Sequence, residues 1–110
     1  MFDKEVLKEL QELLEDDFVG LIEIYLRDLK VKVPEMGQYA HNLDFEKLSK
    51  VAHSLKGASI NLGIGDFGKL CGLIEQAARQ KKAEEVTQLL SVAGPQAITL
   101  STELSLMYLK

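Results

Sequence analysis

Apolar residues recur at spacings of three and four along almost the whole chain, and this periodicity constrains the fold more than any other feature of the sequence. Such spacing gathers side chains on one face of an α-helix, whereas alternating runs long enough for strands are missing. The sequence therefore predicts an all-α fold. With 110 residues, of which 46% are hydrophobic and 27% charged, we expect one globular domain that spans residues 1–110.

Turn and capping residues divide the chain into five predicted helices. The boundaries lie at a cap at Asp3, an end near Leu14, a cap at Asp16 or Asp17, an end near His41, the Asn42–Asp44 turn, the Gly63–Gly65 turn, a cap at Asp66 and a start near Ala83. Pro34 and the Gly94-Pro95 pair predict kinks or breaks within the second and fifth helices. Because short connections favour antiparallel neighbours, we expect an antiparallel up-down four-helix bundle with a short extra N-terminal helix.

Charge is distributed unevenly. The net charge of −4 argues against nucleic acid as a partner, because neutralising phosphates requires a basic surface. However, the segment from Lys47 to Lys82 holds seven basic and two acidic residues, whereas the rest of the chain sums to −9. This asymmetry is compatible with an ordinary solvated surface, or with a segment that faces an acidic partner.

Several classes of site and location are disfavoured. The N-terminus is acidic and amphipathic, and no stretch approaches about 18 uncharged apolar residues, so we expect a cytoplasmic protein without a membrane partner. Cys71 is the only cysteine, which excludes an internal disulfide and a multi-cysteine metal site. It lies on the predicted inner face of the fourth helix, where a small buried side chain is expected. Asp16 and Asp17 form no convincing Mg²⁺ cluster, and we expect His41 to be a surface residue without a role.

The stretch from Val51 to Gly63 contains the candidate reactive group. About 100° of rotation per residue places His53 some 130° from the middle of the third helix's apolar stripe, so its imidazole is expected to point outward. Lys56 and Gly57 are its neighbours on the helix surface. Glycine inside a helix costs about 0.5 to 1 kcal/mol relative to alanine, and on an outer face packing within the protein does not explain it. His53 is thus either a reactive group that a partner approaches closely or an ordinary exposed histidine.

The residues AHSLKGASINLG, from Ala52 to Gly63, closely resemble the signature of histidine-containing phosphotransfer (HPt) domains. The likeness continues through Leu70, Cys71 and the Ile74-Glu75 pair, and the order and lengths of the helices fit the whole chain. The resemblance implies that His53 is phosphorylated, that Lys56 neutralises the phosphoryl oxygens and that Gly57 gives the partner room. The remaining candidates, expected to lie near the partner or the phosphoryl group, are Ser54, Ser59, Ile60, Glu75 and Arg79.

Glu75 falls where some members of this family carry a glutamine near the imidazole, and Arg79 follows it by one helical turn. An ionised glutamate cannot donate a hydrogen bond to a phosphate, so the role of Glu75 is left open by the sequence. Ser54 and Ser59 might instead suggest a hydrolase, but serines on adjacent turns of one helix lack an orienting acid and an oxyanion hole.

The chemistry of the residues agrees with a phosphocarrier. A neutral imidazole is a nucleophile that needs no base, and phosphoryl transfer depends mostly on positioning and on charge stabilisation. The sequence lacks a glycine-rich nucleotide loop, so we expect no kinase activity of its own, no cofactor, and Mg²⁺ supplied by the receiver partner. The expected partners are the receiver domains of a hybrid histidine kinase and of a response regulator, which a monomer would meet in turn. The alternative is a helical docking module that binds receiver or kinase domains without carrying phosphate.

Overall fold

The computed structural model describes residues 2–109, which form five α-helices and contain no strand. The helices are α1 (Lys4–Leu14), α2 (Asp17–His41), α3 (Phe45–Asn61), α4 (Gly65–Arg79) and α5 (Ala83–Tyr108). The predicted all-α class is confirmed. None of the helices within residues 2–109 is long and apolar enough to cross a membrane.

Each of the four longer helices contacts two of the other three, and together they enclose the core. α3 packs against α4 and α2, and α5 packs against α2 and α4, while α1 lies on α2. The periodic apolar residues of the sequence supply the buried side chains, of which the largest include Phe18, Ile22, Met36, Leu48, Leu55, Phe67, Ile74, Leu100 and Leu104. The molecule is elongated, with extents of 42 × 20 × 19 Å.

Most predicted boundaries agree with the structure. The Asp3 carboxylate accepts hydrogen bonds from the amides of Glu5 and Val6, and the Asp44 carboxylate accepts one from the amide of Lys47. Gly63 has a φ of +74°, the left-handed conformation that glycine adopts without a steric penalty. The predicted end of α3 at a left-handed Gly63 is therefore confirmed.

Two predicted caps are wrong. Asp16 occupies the N-cap position of α2, but its backbone is already helical and its side chain makes no capping hydrogen bond. Asp66 lies inside the first turn of α4, because that helix begins one residue earlier, at Gly65, after Ile64. Ile64 is fully buried, so core packing rather than a polar cap fixes the start of α4.

Neither proline interrupts its helix. α2 continues through Pro34, and α5 continues through Gly94 and Pro95, so the break considered at that pair is wrong. A proline inside a helix removes one backbone donor, and burial of flanking apolar residues offsets that cost. Ala93 and Ala97, on either side of Pro95, are both buried in the core.

Candidate functional site

His53 lies near the middle of α3 and projects outward, with 63% of its side chain exposed. Its Nδ1 atom is 2.9 Å from Oε2 of Glu75 on α4. An ionised carboxylate can only accept hydrogen bonds, so Nδ1 carries the proton and its N–H donates a hydrogen bond to Glu75. The lone pair is therefore on Nε2, the ring nitrogen that is left for chemistry.

Glu75 is the centre of the cluster. It is only 5% exposed, and both of its carboxylate oxygens contact donors. Lys56 Nζ lies 3.0 Å from Oε1, and Arg79 Nη2 lies 2.7 Å from Oε2. Burial by itself raises the pKa of Glu75, but the hydrogen bonds from Lys56 and His53 outweigh burial, and the pKa is lowered overall. Glu75 is thus held as an anion that orients one imidazole and two cations.

Lys56 is positioned along its whole length. Its aliphatic stem lies over Gly72 of α4, where an added Cβ would come within 3.1 Å of Lys56 Cδ. The Lys56 side chain as a whole remains one-third exposed. Because an ammonium has three donors, Lys56 can bind Glu75 and still offer a hydrogen bond to a group on the imidazole.

The residues around His53 form an open surface, which we call the outward strip: Lys50, His53, Gly57 and Ile60. They follow one another at spacings of three and four, and all are exposed. Apart from its chain neighbours and the adjacent backbone of α3, no atom lies within 4 Å of the position that a Cβ on Gly57 would occupy, so this glycine leaves the imidazole accessible. Ile60 is 55% exposed, two turns beyond His53.

The two serines have different environments. Ser54 is exposed, and its hydroxyl oxygen accepts a hydrogen bond of 2.9 Å from Lys32 Nζ of α2. Ser59 is fully buried and shares a hydrogen bond of 2.7 Å with the Tyr25 hydroxyl. The expectation that Ser59 lies near the phosphoryl group is therefore wrong. Ser59 is on the inner face of α3, which directs its side chain into the core.

The other sequence candidates remain outside the site. His41 is exposed at the C-terminal end of α2. Cys71 is fully buried, and burial raises the pKa of its thiol to about 12, so its reactive thiolate form is suppressed. Within residues 2–109, no three His, Cys, Asp or Glu side chains are grouped closely enough to hold a metal ion.

Three features of the site escaped the sequence analysis. The contact of Lys32 with Ser54 depends on the register between α2 and α3, which no local pattern encodes. The resemblance places Glu75 near the imidazole, but its contacts with both His53 and Lys56 depend in the same way on the register between α3 and α4. Gly72 supports the stem of Lys56, and its sequence signal is the pair of glycines, Gly68 and Gly72, four residues apart in a predicted helix.

The fold and the sequence both have known counterparts. The crystal structure of histidine-containing phosphotransfer protein B from Pseudomonas aeruginosa PAO1 superimposes with a TM-score of 0.92, covers 97% of this chain and 93% of its own, and is 23% identical in sequence. No curated protein sequence matches the chain significantly. The family model of the Hpt domain matches residues 4–107. The chain belongs to the Hpt domain family, whose members act in histidine phosphotransfer within phosphorelays by interacting with receiver domains.

Proposed function

We propose that His53 accepts a phosphoryl group on Nε2 from the phosphorylated aspartate of one receiver domain and passes it to the aspartate of another. The observation that carries this assignment is the hydrogen bond of 2.9 Å between His53 Nδ1 and the buried Glu75. It holds an exposed imidazole in the tautomer whose free nitrogen faces solvent. The adjacent Gly57 leaves room for a second protein to approach that nitrogen.

In the accepting step, the Nε2 lone pair attacks phosphorus, the N–P bond forms and the O–P bond of the aspartyl phosphate breaks. The electron pair of that bond leaves with the receiver's carboxylate. The forwarding step is the reverse, with the carboxylate of the second receiver as nucleophile. Lys56 would stabilise the charge on the phosphoryl oxygens, and Arg79 would add a second positive charge on the α4 side. Any Mg²⁺ needed would come from the receiver.

The protein is proposed to be a relay intermediate without kinase activity of its own. Its partners would be the receiver domains of a hybrid histidine kinase and of a response regulator, with no role for nucleic acid or membrane. We propose that the protein is a cytoplasmic monomer. Its complexes with receiver domains would be transient, because electrostatic complementarity accelerates encounter and fixes orientation more than it adds affinity.

The architecture we propose is an antiparallel up-down bundle of α2 to α5, with α1 as a short extra helix. Contacts between the helices support it. Phe18, at the start of α2, packs edge-on against Tyr108, at the end of α5, with ring centroids 5.1 Å apart. On α2 and α3, Tyr25 contacts Ser59 and Lys32 contacts Ser54. The residue numbers of these contacts rise along α2 and fall along α3, as antiparallel helices require.

The test is labelling from a phosphorylated receiver. We expect the wild-type protein to acquire acid-labile, base-stable phosphate, and His53→Gln to acquire none while keeping its helical content. An exposed substitution of this kind generally changes stability by no more than about 0.5 kcal/mol. The matched control is His41→Gln, which should accept phosphate normally. Persistent labelling of His53→Gln at another residue would refute the site.

A further inference from the structure

A lysine of α2 reaches the surface around His53 from the side opposite Glu75. Lys32 Nζ donates to Ser54 Oγ across the α2–α3 contact at 2.9 Å. Ser54 directly follows His53, about 100° further around the helix, whereas Glu75 approaches His53 from α4. The outward strip is therefore bordered by Lys32 on its α2 side and by Arg79 on its α4 side.

The position of Lys32 is restrained. Its side chain is 29% exposed, and besides Ser54 it faces Asp28, one turn earlier on α2, with 3.8 Å between Nζ and Oδ2. A lysine ammonium has three donors, so the single hydrogen bond to Ser54 leaves capacity for a partner's carboxylate. Since the long side chain is already ordered, less rotamer entropy is lost when a partner binds.

The charge at this border favours an acidic partner. Lys50, Lys56 and Arg79 lie on or beside the outward strip, and Lys32 adds a cation on its α2 side. Lys32 donates to a neutral hydroxyl and forms a long ion pair of 3.8 Å with Asp28, which is itself 38% exposed, so the charge of Lys32 is only partly compensated. By contrast, Lys56 and Arg79 both contact the buried carboxylate of Glu75.

We propose that Lys32 is a docking residue for the receiver domain, binding an acidic side chain at the rim of the receiver's phosphorylation pocket. The inference rests on the proposed function and adds to it a contact on α2 that determines how the receiver is held. Lys32 acts on association rather than on the chemical step, because its ammonium is anchored on Ser54, away from the Glu75 cluster. Charges at the rim of an interface mainly change the association rate and its dependence on salt.

The experiment is single-turnover transfer from a phosphorylated receiver over a series of receiver concentrations, with Lys32→Met and the control Lys30→Met. Lys30 is two residues away on α2 and lines the groove between α2 and α5 instead. We expect Lys32→Met to raise the half-saturating receiver concentration about three- to tenfold at low salt, with an unchanged saturating rate, and Lys30→Met to match the wild type. The difference should shrink at high ionic strength.

A second variant separates the charge from its anchor. Ser54→Ala keeps the lysine but removes its acceptor, so we expect a smaller increase in the half-saturating concentration. If Lys32→Met matches Lys30→Met, or if it lowers only the saturating rate, the docking role is refuted while phosphate transfer to His53 stands. If the wild-type protein accepts phosphate from no receiver, both the docking role and the proposed function fail.

Discussion

At the scale of single residues, a buried glutamate stands beside the imidazole, at a position where some members of the family carry a glutamine. A glutamine could either donate or accept at this position, so it would leave both imidazole tautomers possible. Glu75 only accepts, which fixes the proton on Nδ1 and also holds Lys56 and Arg79 in place. The carboxylate thus organises the donors around the His53 imidazole, and in the proposed mechanism it would not itself hold the phosphoryl group.

Lys56→Ala should slow phosphoryl transfer and also destabilise the fold slightly. Loss of one charge-assisted hydrogen bond of about 1.5 to 3 kcal/mol corresponds to roughly a ten- to hundredfold lower rate, provided that the bond is made chiefly in the transition state. The sequence suggests almost no effect on stability. However, the structure ties Lys56 to the buried Glu75, and we expect a loss of about 1 kcal/mol. Saturating single-turnover rates and urea denaturation measure the two effects.

Two further variants make this test specific to Lys56. Lys56→Arg should restore the rate only in part, because a planar guanidinium on a longer stem occupies a different position. Lys50→Ala removes the same charge from the outward strip, where Lys50 pairs only with the exposed Glu46, and its saturating rate should remain normal. Equal rates for Lys56→Ala and Lys50→Ala would mean that Lys56 is no more than a surface charge.

At the scale of helices, α3 and α4 approach closely because α4 carries glycines where it faces α3. A Cβ on Gly68 would come within 2.9 Å of Ile60 Cγ1 and 3.4 Å of the Lys56 carbonyl oxygen. Gly72, four residues later, leaves room for the stem of Lys56, because a Cβ there would come within 3.1 Å of Lys56 Cδ. This close approach brings Glu75 within reach of both His53 and Lys56, so the geometry of the site depends on the α3–α4 contact.

Gly57 and Gly68 should therefore respond differently to the same substitution. Gly57→Ala meets no neighbour and should stabilise the protein by about 0.5 to 1 kcal/mol, the ordinary gain of alanine over glycine within a helix. Gly68→Ala has the same intrinsic gain, but its Cβ would come within 2.9 Å of Ile60 Cγ1 and would force that side chain to move, and overpacking of this kind costs about 1 to 3 kcal/mol. Urea denaturation of both variants is the measurement. A Gly68→Ala protein as stable as Gly57→Ala would contradict the close packing of α3 and α4.

At the scale of the whole molecule, the sequence predicts what depends on local periodicity and misses what depends on register. The positions of the five helices follow from apolar spacing together with turn and capping residues, the outward direction of His53 and the burial of Cys71 follow from apolar spacing, and the structure agrees. The same spacing places Ser59 on the inner face of α3, whereas the resemblance suggests a position near the phosphoryl group. The buried hydrogen bond between Ser59 and Tyr25 shows that the inner face is correct. The contacts of Lys32 and Glu75 depend on how neighbouring helices are aligned, which periodicity does not specify.

The stability of the molecule should depend on pH through Glu75, which joins α3 to α4. Its pKa is lower in the folded protein than the ordinary value of 4.5, because the hydrogen bonds from Lys56 and His53 outweigh burial. Between the two pKa values the unfolded chain binds a proton that the folded protein does not, so the free energy of unfolding falls as the pH falls. The stabilisation by Glu75 is present above about pH 4.5 and is lost as the pH falls through the lowered pKa.

Comparison with Glu75→Gln isolates this contribution. The variant cannot ionise at residue 75, so the wild-type protein should be the more stable of the two near neutral pH, and its advantage should narrow as the pH falls below about 4.5. Urea midpoints of both proteins between pH 7 and pH 3 measure the difference, and Glu103→Gln, which removes an exposed carboxylate from α5, is the control. The groups that face the carboxylate are His53, Lys56 and Arg79, and all three are retained in both proteins. A difference that stays constant or widens as the pH falls below about 4.5 would show that these groups do not hold Glu75 in its ionised form.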